Sequence, residues 1–122
     1  MILSLLPWVC GVITLVLLAV MATAFWIDPA RGLALTAHKT EMLPRVMADR
    51  YTAFAMLAVV VLVYGDPVLF AAFFGVCAFM GLADGWIYAR AGLAHAKHTL
   101  SGVLSVVALG VTLLSVVYEK GF

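Results

Sequence analysis

The fold of this chain is decided where its last two apolar runs meet, at Asp84-Gly-Trp-Ile-Tyr-Ala-Arg-Ala-Gly-Leu-Ala-His-Ala-Lys-His98. This stretch places an acid near the end of one run, a glycine that can end a helix after it, and two histidines at the start of the next run. The flanking runs, residues 67–83 and 99–118, contain no charged residue. We therefore expect the polar chemistry of the protein to gather at this junction.

The composition of the whole chain indicates an integral membrane protein. Its 122 residues are 66% hydrophobic and 11% charged, with a mean hydropathy of +1.19, whereas charged residues make up about a quarter of an ordinary soluble domain. The length suits a single domain over residues 1–122. A net charge of +1 does not fit a nucleic-acid surface, so the expected partners are lipid, a lipophilic small molecule or other membrane subunits.

Four helices long enough to cross a membrane are predicted, over about residues 3–27, 44–64, 67–91 and 93–118. The first 27 residues are uncharged, and at a rise of about 1.5 Å per residue roughly 20 of them span a hydrocarbon core of about 30 Å. The uncharged run from Tyr51 to Tyr64 is too short to do so, and the second helix must therefore begin near Pro44. The predicted fold class is all-α, a four-helix transmembrane bundle with antiparallel neighbours.

The connections between these helices carry start and stop signals. Gly65-Asp66-Pro67 combines a terminating glycine, an N-cap acid and a proline suited to a first helical turn, which predicts a tight turn between the second and third helices. Gly92 is predicted to end the third helix. Asp28-Pro29 is predicted to end the first helix, and residues 28–43 are expected to form a polar connection.

The N-terminal run has a competing interpretation, a cleaved signal peptide with Ala22-Thr-Ala24 as its cleavage site. The run lacks a basic N-terminal region and is too long for the apolar segment of a signal peptide, which favours a transmembrane helix. Trp8 and Trp26 would lie about 27 Å apart on such a helix. This spacing suits aromatic anchors at the two membrane interfaces.

Lysine and arginine are unequally distributed between the two sides of the predicted bundle. Lys120 lies on one side, and the other six lie at the first and third connections or the adjacent helix ends. These six are Arg31, Lys39, Arg45, Arg50, Arg90 and Lys97. Because connections rich in positive charge stay in the cytoplasm, we expect a multi-pass protein of the cell inner membrane with both termini on the outer side.

Five ionisable side chains are expected to reach one level near the cytoplasmic face: Asp49, Arg50, Asp84, His95 and His98. Such groups are costly inside a membrane and usually pair with one another in the bundle interior. Asp84 needs a cation, a hydrogen-bond donor or a proton, and its candidate partners are Arg50, His95 and His98. The layer could be a charge staple between helices, a ligand site or a proton relay.

Asp84 and His98 are the candidate catalytic residues, since a carboxylate and an imidazole can transfer protons near neutral pH. The candidate ligand-binding residues lie at the same level or on the same helical faces. They are Arg45, Asp49, Arg50, Tyr88, His95, Ser101 and Gly102. Gly102 and Ser105 are small and are expected to leave room for a ligand beside the layer, whereas Gly81-Leu-Ala-Asp-Gly85 is typical of close helix packing.

A metal site is the alternative use of the histidines. His95 and His98 are three residues apart and could ligate a metal together with Asp84 or Asp49. A His-x-x-His pair at the start of a helix more often makes hydrogen bonds at the membrane interface. No metal is therefore predicted, and no motif in the sequence names a cofactor.

Four features occur together in this order: a proline-bearing loop after the first helix, an Asp/Arg pair in Met47-Ala-Asp49-Arg50, Asp84 late in the third helix, and His98 at the start of the fourth. In these features the chain resembles a bacterial and fungal family of small four-helix membrane proteins, designated domain of unknown function four-two-six-seven, over about residues 28–115. The family more usually has Arg before Asp, so either Arg45 or Arg50 takes the position of its arginine. The resemblance implies the four-helix architecture and these site positions, and it implies no reaction.

The sequence thus favours a small membrane protein whose Asp/Arg/His site binds a lipophilic molecule with a polar head. Proton transfer in an isomerase- or cyclase-type reaction is one extension, and whether the protein is an enzyme stays open. One alternative is a non-catalytic accessory subunit of a larger membrane complex. A small proton-coupled transporter is another, although the helices show no broken-helix pattern.

A reporter fused after Phe122 tests the predicted orientation. Six of the seven cations lie opposite the predicted termini, so a reporter that matures only outside the cytoplasm should be active at this position. A reporter that works only in the cytoplasm is the matched control and should be inactive. Activity of that second reporter would move the polar layer to the other leaflet.

Overall fold

A computed structural model describes residues 2–120, with the side chains of residue 7 and residues 9–119. The described chain is all-α and contains no strand, as predicted. It forms five α-helices and one 3-10 turn, Thr40–Met42. The helices are α1 (Ile2–Ile27), α2 (Pro29–Leu35), α3 (Leu43–Tyr64), α4 (Pro67–Arg90) and α5 (Ala96–Lys120).

Four segments of the described chain are long and apolar enough to cross a membrane. They are Val9–Ile27, Thr40–Tyr64, Pro67–Arg90 and Ala96–Glu119. This confirms the prediction of four candidate spans and indicates a multi-pass membrane protein. Of the two tryptophans predicted to anchor the first span, Trp26 is exposed, and the side chain of Trp8 lies outside the described residues.

The chain divides into two compact units, Met1–Arg50 and Tyr51–Phe122. In the first unit, α2 follows α1 after a single residue, Asp28, whose side chain accepts hydrogen bonds from the backbone N–H groups of Ala30 (3.1 Å) and Arg31 (3.3 Å). The ring of Phe25 packs on Gly32, where a β-carbon would lie 2.5 Å from the ring. The short helix α2 therefore folds against the end of α1.

The predicted connection over residues 28–43 contains a short helix, α2, that was not predicted from the sequence. Asp28-Pro29 acts as an N-cap and first helical residue, so it starts a helix as well as ending one. Its chemistry is the same as that of Asp66-Pro67, where Asp66 accepts from the N–H groups of Val68 (2.7 Å) and Leu69 (3.2 Å). At Asp66 the predicted cap is confirmed, and Gly65 takes the left-handed conformation (φ +64°) expected of a terminating glycine.

Helix α4 ends as predicted, and α5 begins later than predicted. Gly92 is left-handed (φ +69°), and the N–H of Leu93 donates to the carbonyl of Tyr88 over 2.9 Å, which is the bond that closes a Schellman motif. The chain then needs residues 93–95 to turn back. Helix α5 consequently starts at Ala96 and not at residue 93, and His95 precedes its first turn.

Helices α4 and α5 pack through a contact between backbones. A β-carbon on Gly81 would lie 2.5 Å from the backbone nitrogen of Gly102, and one on Gly85 would lie 2.5 Å from Oγ1 of Thr99. Gly81, Gly85 and Gly102 are all buried. Glycine is required at these points because any side chain would push the two helices apart.

Little hydrophobic surface is buried in the described chain. Val61 and Ala78 are the buried hydrophobic residues among its described side chains, whereas large apolar side chains are exposed along every long helix. In a membrane, lipid tails cover such surfaces, and helices associate through close packing of small residues. The glycine contact between α4 and α5 is the clearest example of that packing here.

Replacing a glycine of this contact should destabilise the protein. We expect Gly81→Ala and Gly102→Ala each to lower the free energy of unfolding in detergent by about 1–3 kcal/mol, the usual cost of overpacking. Thermal unfolding followed by circular dichroism measures the loss.

The controls are Gly75→Ala in α4 and Gly110→Ala in α5, where an added β-carbon would lie within 4 Å of no atom of the described residues. These two changes should be neutral, or stabilising by up to about 1 kcal/mol through helix propensity. Equal losses at all four glycines would contradict a specific contact between α4 and α5.

Candidate functional site

The structure brings the two candidate catalytic residues together across the α4–α5 contact. Nδ1 of His98 lies 3.9 Å from Oδ2 of Asp84. This distance permits an ion pair when the imidazole is protonated, and it is too long for a hydrogen bond. The side chain of His98 is 35% exposed and that of Asp84 is 48% exposed, so both remain accessible to another molecule.

The imidazole of His98 is held on a second side by Tyr88, which lies one turn after Asp84 on α4. The ring centroids of Tyr88 and His98 are 4.6 Å apart, with the ring planes inclined by 37°. Aromatic rings at this separation attract each other. Asp84 and Tyr88 of α4 thus both lie beside one imidazole of α5, and Tyr88, a predicted ligand-binding residue, contacts His98.

Asp84 and His98 lie at one end of an open groove of about 380 Å³, which we call the Asp84 groove. Its polar lining also includes Lys97, Ser101 and Ser105 of α5 and Tyr51 of α3. The remaining wall is formed by Phe54, Phe73, Cys77 and Met80, together with Gly81. An elongated apolar groove with a charged end is suited to an amphipathic ligand.

Of the small residues that were predicted to lie beside a ligand, the two serines line the groove and Gly102 does not. The hydroxyl of Ser105 donates to the carbonyl of Ser101 over 2.9 Å. Gly102 is buried in the helix contact, where its β-carbon would lie 2.6 Å from the backbone nitrogen of Leu82, so the prediction that Gly102 leaves room for a ligand is corrected.

The side chain of His95 has a different partner. Its Nδ1 lies 3.1 Å from Oγ1 of Thr99, within hydrogen-bonding distance. The alternative of a metal held by His95, His98 and Asp84 finds no support, because among residues 2–120 no three His, Cys, Asp or Glu side chains are grouped closely enough to hold an ion.

The other predicted site residues are Arg45, Asp49 and Arg50, at the start of α3. All three are exposed and belong to the unit that ends at Arg50. Their membership of one layer with Asp84 stays a prediction.

Sequence reasoning missed the residues that form the sides of the groove. Phe54 and Phe73 are ordinary apolar residues of their helices, and no local signal distinguishes them. Lys97 had such a signal, since Lys97, Ser101 and Ser105 recur every four residues and so share one face of α5. Lys97 was instead counted among the positive charges that set the orientation, like Arg90, whose guanidinium lies 5.2 Å from the centre of the Trp86 ring on α4.

No protein-family model, curated protein or solved structure matches this chain significantly. The resemblance to the four-helix family therefore stays a prediction that rests on Asp49, Arg50, Asp84 and His98. What can be inferred about function comes from the groove itself.

A double-mutant cycle on Asp84→Asn and His98→Gln tests whether this pair interacts. We expect a coupling free energy of about 0.5–1 kcal/mol in detergent, at the low end for residues in contact because both side chains are a third or more exposed. Chemical or thermal unfolding of the two single mutants, the double mutant and the parent gives the value.

His95→Gln is the matched control, since His95 contacts Thr99, and its cycle with Asp84→Asn should give no coupling. A cycle with Arg50→Gln examines the other predicted partner of Asp84. Coupling to Arg50 combined with none to His98 would reject the His98 pairing.

Proposed function

We propose that this protein binds a lipophilic molecule with a polar head in the Asp84 groove. The observation that carries the proposal is the division of the groove into an apolar wall, with Phe54, Phe73 and Met80, and a charged end at Asp84, His98 and Lys97. Tails of a ligand gain dispersion contacts along the wall. Its head gains hydrogen bonds and charge interactions at the end.

We also propose an orientation for the bundle in the cell inner membrane, with antiparallel helices and both termini outside. The contacts between α4 and α5 support antiparallel packing, because Gly81 meets Gly102 while the later Gly85 meets the earlier Thr99. The six-to-one distribution of lysine and arginine supports the orientation. In this arrangement the charged end of the groove faces the cytoplasmic leaflet, where lipid-soluble substrates and lipids meet water.

The groove also suggests a chemistry for the bound molecule. An imidazole and a carboxylate 3.9 Å apart are side chains of the kind that act as general acid and general base toward a molecule bound beside them. Tyr88 keeps the ring of His98 in place from the side. Under this proposal His98 transfers a proton to or from the head of the ligand in an isomerase- or cyclase-type step, and Asp84 supports the charge.

The second candidate function is an accessory subunit of a larger membrane complex. The observation that favours it is the exposure of apolar side chains along α1 and α3 to α5 within the described residues. Partner helices could cover these surfaces as well as lipid does. In that case the pair of Asp84 and His98 would serve as a staple between α4 and α5.

Blocking the groove should remove the ligand without unfolding the helices. We expect Ser105→Leu to lower the amount of lipophile that copurifies in detergent by at least about fivefold, because the larger side chain enters the groove that Ser105 lines. Solvent extraction and mass spectrometry, per mole of protein, measure the loss.

Ser115→Leu is the matched control, since Ser115 also donates to a carbonyl of α5, that of Thr112 (2.7 Å), and does not line the groove. It should retain the parent stoichiometry. An unchanged lipophile in Ser105→Leu would place the binding site elsewhere, and stable copurification with larger subunits in place of a lipophile would favour the accessory role.

A further inference from the structure

A second groove lies next to the Asp84 groove on α5. Its volume is about 440 Å³, and its apolar lining is Phe74 of α4 with Leu100, Leu104 and Ala108 of α5. We call it the Phe74 groove. It is more open than the Asp84 groove, and none of the described residues that line it is acidic.

The two grooves share one ridge, formed by Lys97, Ser101 and Ser105. These residues are four apart and so lie along one line of α5. The ridge is low because two of its three members are serines, and the hydroxyl of Ser105 is turned back to the carbonyl of Ser101. On α4 the neighbouring residues Phe73 and Phe74 contribute to different grooves, so both grooves extend from Lys97 in the same direction along α5.

Two side chains of opposite charge, Lys97 and Asp84, lie where the two grooves begin. Lys97 borders both grooves, whereas Asp84 borders one. The 3.9 Å separation from His98 leaves the oxygens of Asp84 free to accept hydrogen bonds from another donor. A ligand that matches this end carries an anionic group near Lys97 and a cationic donor near Asp84.

We propose that the occupant is a two-chain zwitterionic phospholipid with a primary ammonium head. One acyl chain lies in each groove, with the ridge between them. The phosphate pairs with Lys97, and the ammonium group donates to Asp84. This proposal rests on the proposed function and names the class of its ligand.

Lipid titrations of the purified full-length chain in detergent, read by native mass spectrometry, test the proposal. The probes are diacyl phosphatidylethanolamine, its single-chain lyso form, and diacyl phosphatidylglycerol, which has the phosphate but no ammonium. We expect the first to bind about tenfold more tightly than either of the others, a difference of about 1.4 kcal/mol.

Two substitutions separate the contributions of the head group. Lys97→Gln should weaken binding of both diacyl lipids by a similar factor, because both carry the phosphate. Asp84→Asn should remove the preference for phosphatidylethanolamine over phosphatidylglycerol. Arg90→Gln is the control, since it removes a cation at the end of α4 that lines neither groove, and it should change neither affinity nor preference.

The outcomes distinguish this inference from the proposed function. Equal binding of the lyso lipid, or a head-group preference that survives Asp84→Asn, overturns the two-chain aminophospholipid. A different lipophile that is retained by the parent and lost in Ser105→Leu would overturn it while leaving the proposed function intact. Retention of no lipophile by the parent would overturn both.

Discussion

The close approach of α4 and α5 at Gly81 and Gly102 is the constraint on which the site depends. Only hydrogen atoms on the α-carbons allow the two backbones to meet, since a β-carbon on either glycine would lie within 2.6 Å of the opposite backbone. Asp84 is three residues beyond Gly81, and His98 is four residues before Gly102, so the contact fixes the distance between them. The geometry of the polar pair is thus a consequence of packing rather than of its own weak attraction.

That packing determines the geometry of the polar pair agrees with the physics of membrane helices. Lipid tails are as apolar as leucine side chains, so burying hydrophobic surface drives helix association far less than it does in water. The chain buries little hydrophobic surface among its described residues and uses backbone proximity at small residues in its place. A polar pair such as Asp84 and His98 then favours one register of α4 against α5. Its contribution to the stability of the protein is modest, because both side chains remain partly exposed.

Most of the secondary structure could be predicted from local chemistry, and most of the groove could not. Asp66-Pro67 and Gly92 act through their own backbone conformations, so their roles can be read from the sequence directly. The same signal at Asp28-Pro29 was interpreted only as a stop, although an N-cap acid followed by proline starts a helix equally well. Gly102 shows the deeper limit: a missing side chain means either space for a ligand or contact with another backbone, and only the position of α4 decides between them.

The shared ridge on α5 explains why a charged residue and two serines are spaced among large apolar residues between positions 97 and 105. At Lys97, Ser101 and Ser105, leucine would enter both grooves at once, whereas Leu100 and Leu104 line the Phe74 groove. Serine is tolerated inside a membrane helix because its hydroxyl donates to a carbonyl one turn earlier, as Ser105 does to Ser101. Serine at position 105 therefore keeps the ridge low, and its hydroxyl still has a hydrogen-bond partner. The ridge places the polar residues that line the Phe74 groove next to the charged end of the Asp84 groove, an arrangement that would suit the proposed ligand with one head and two tails.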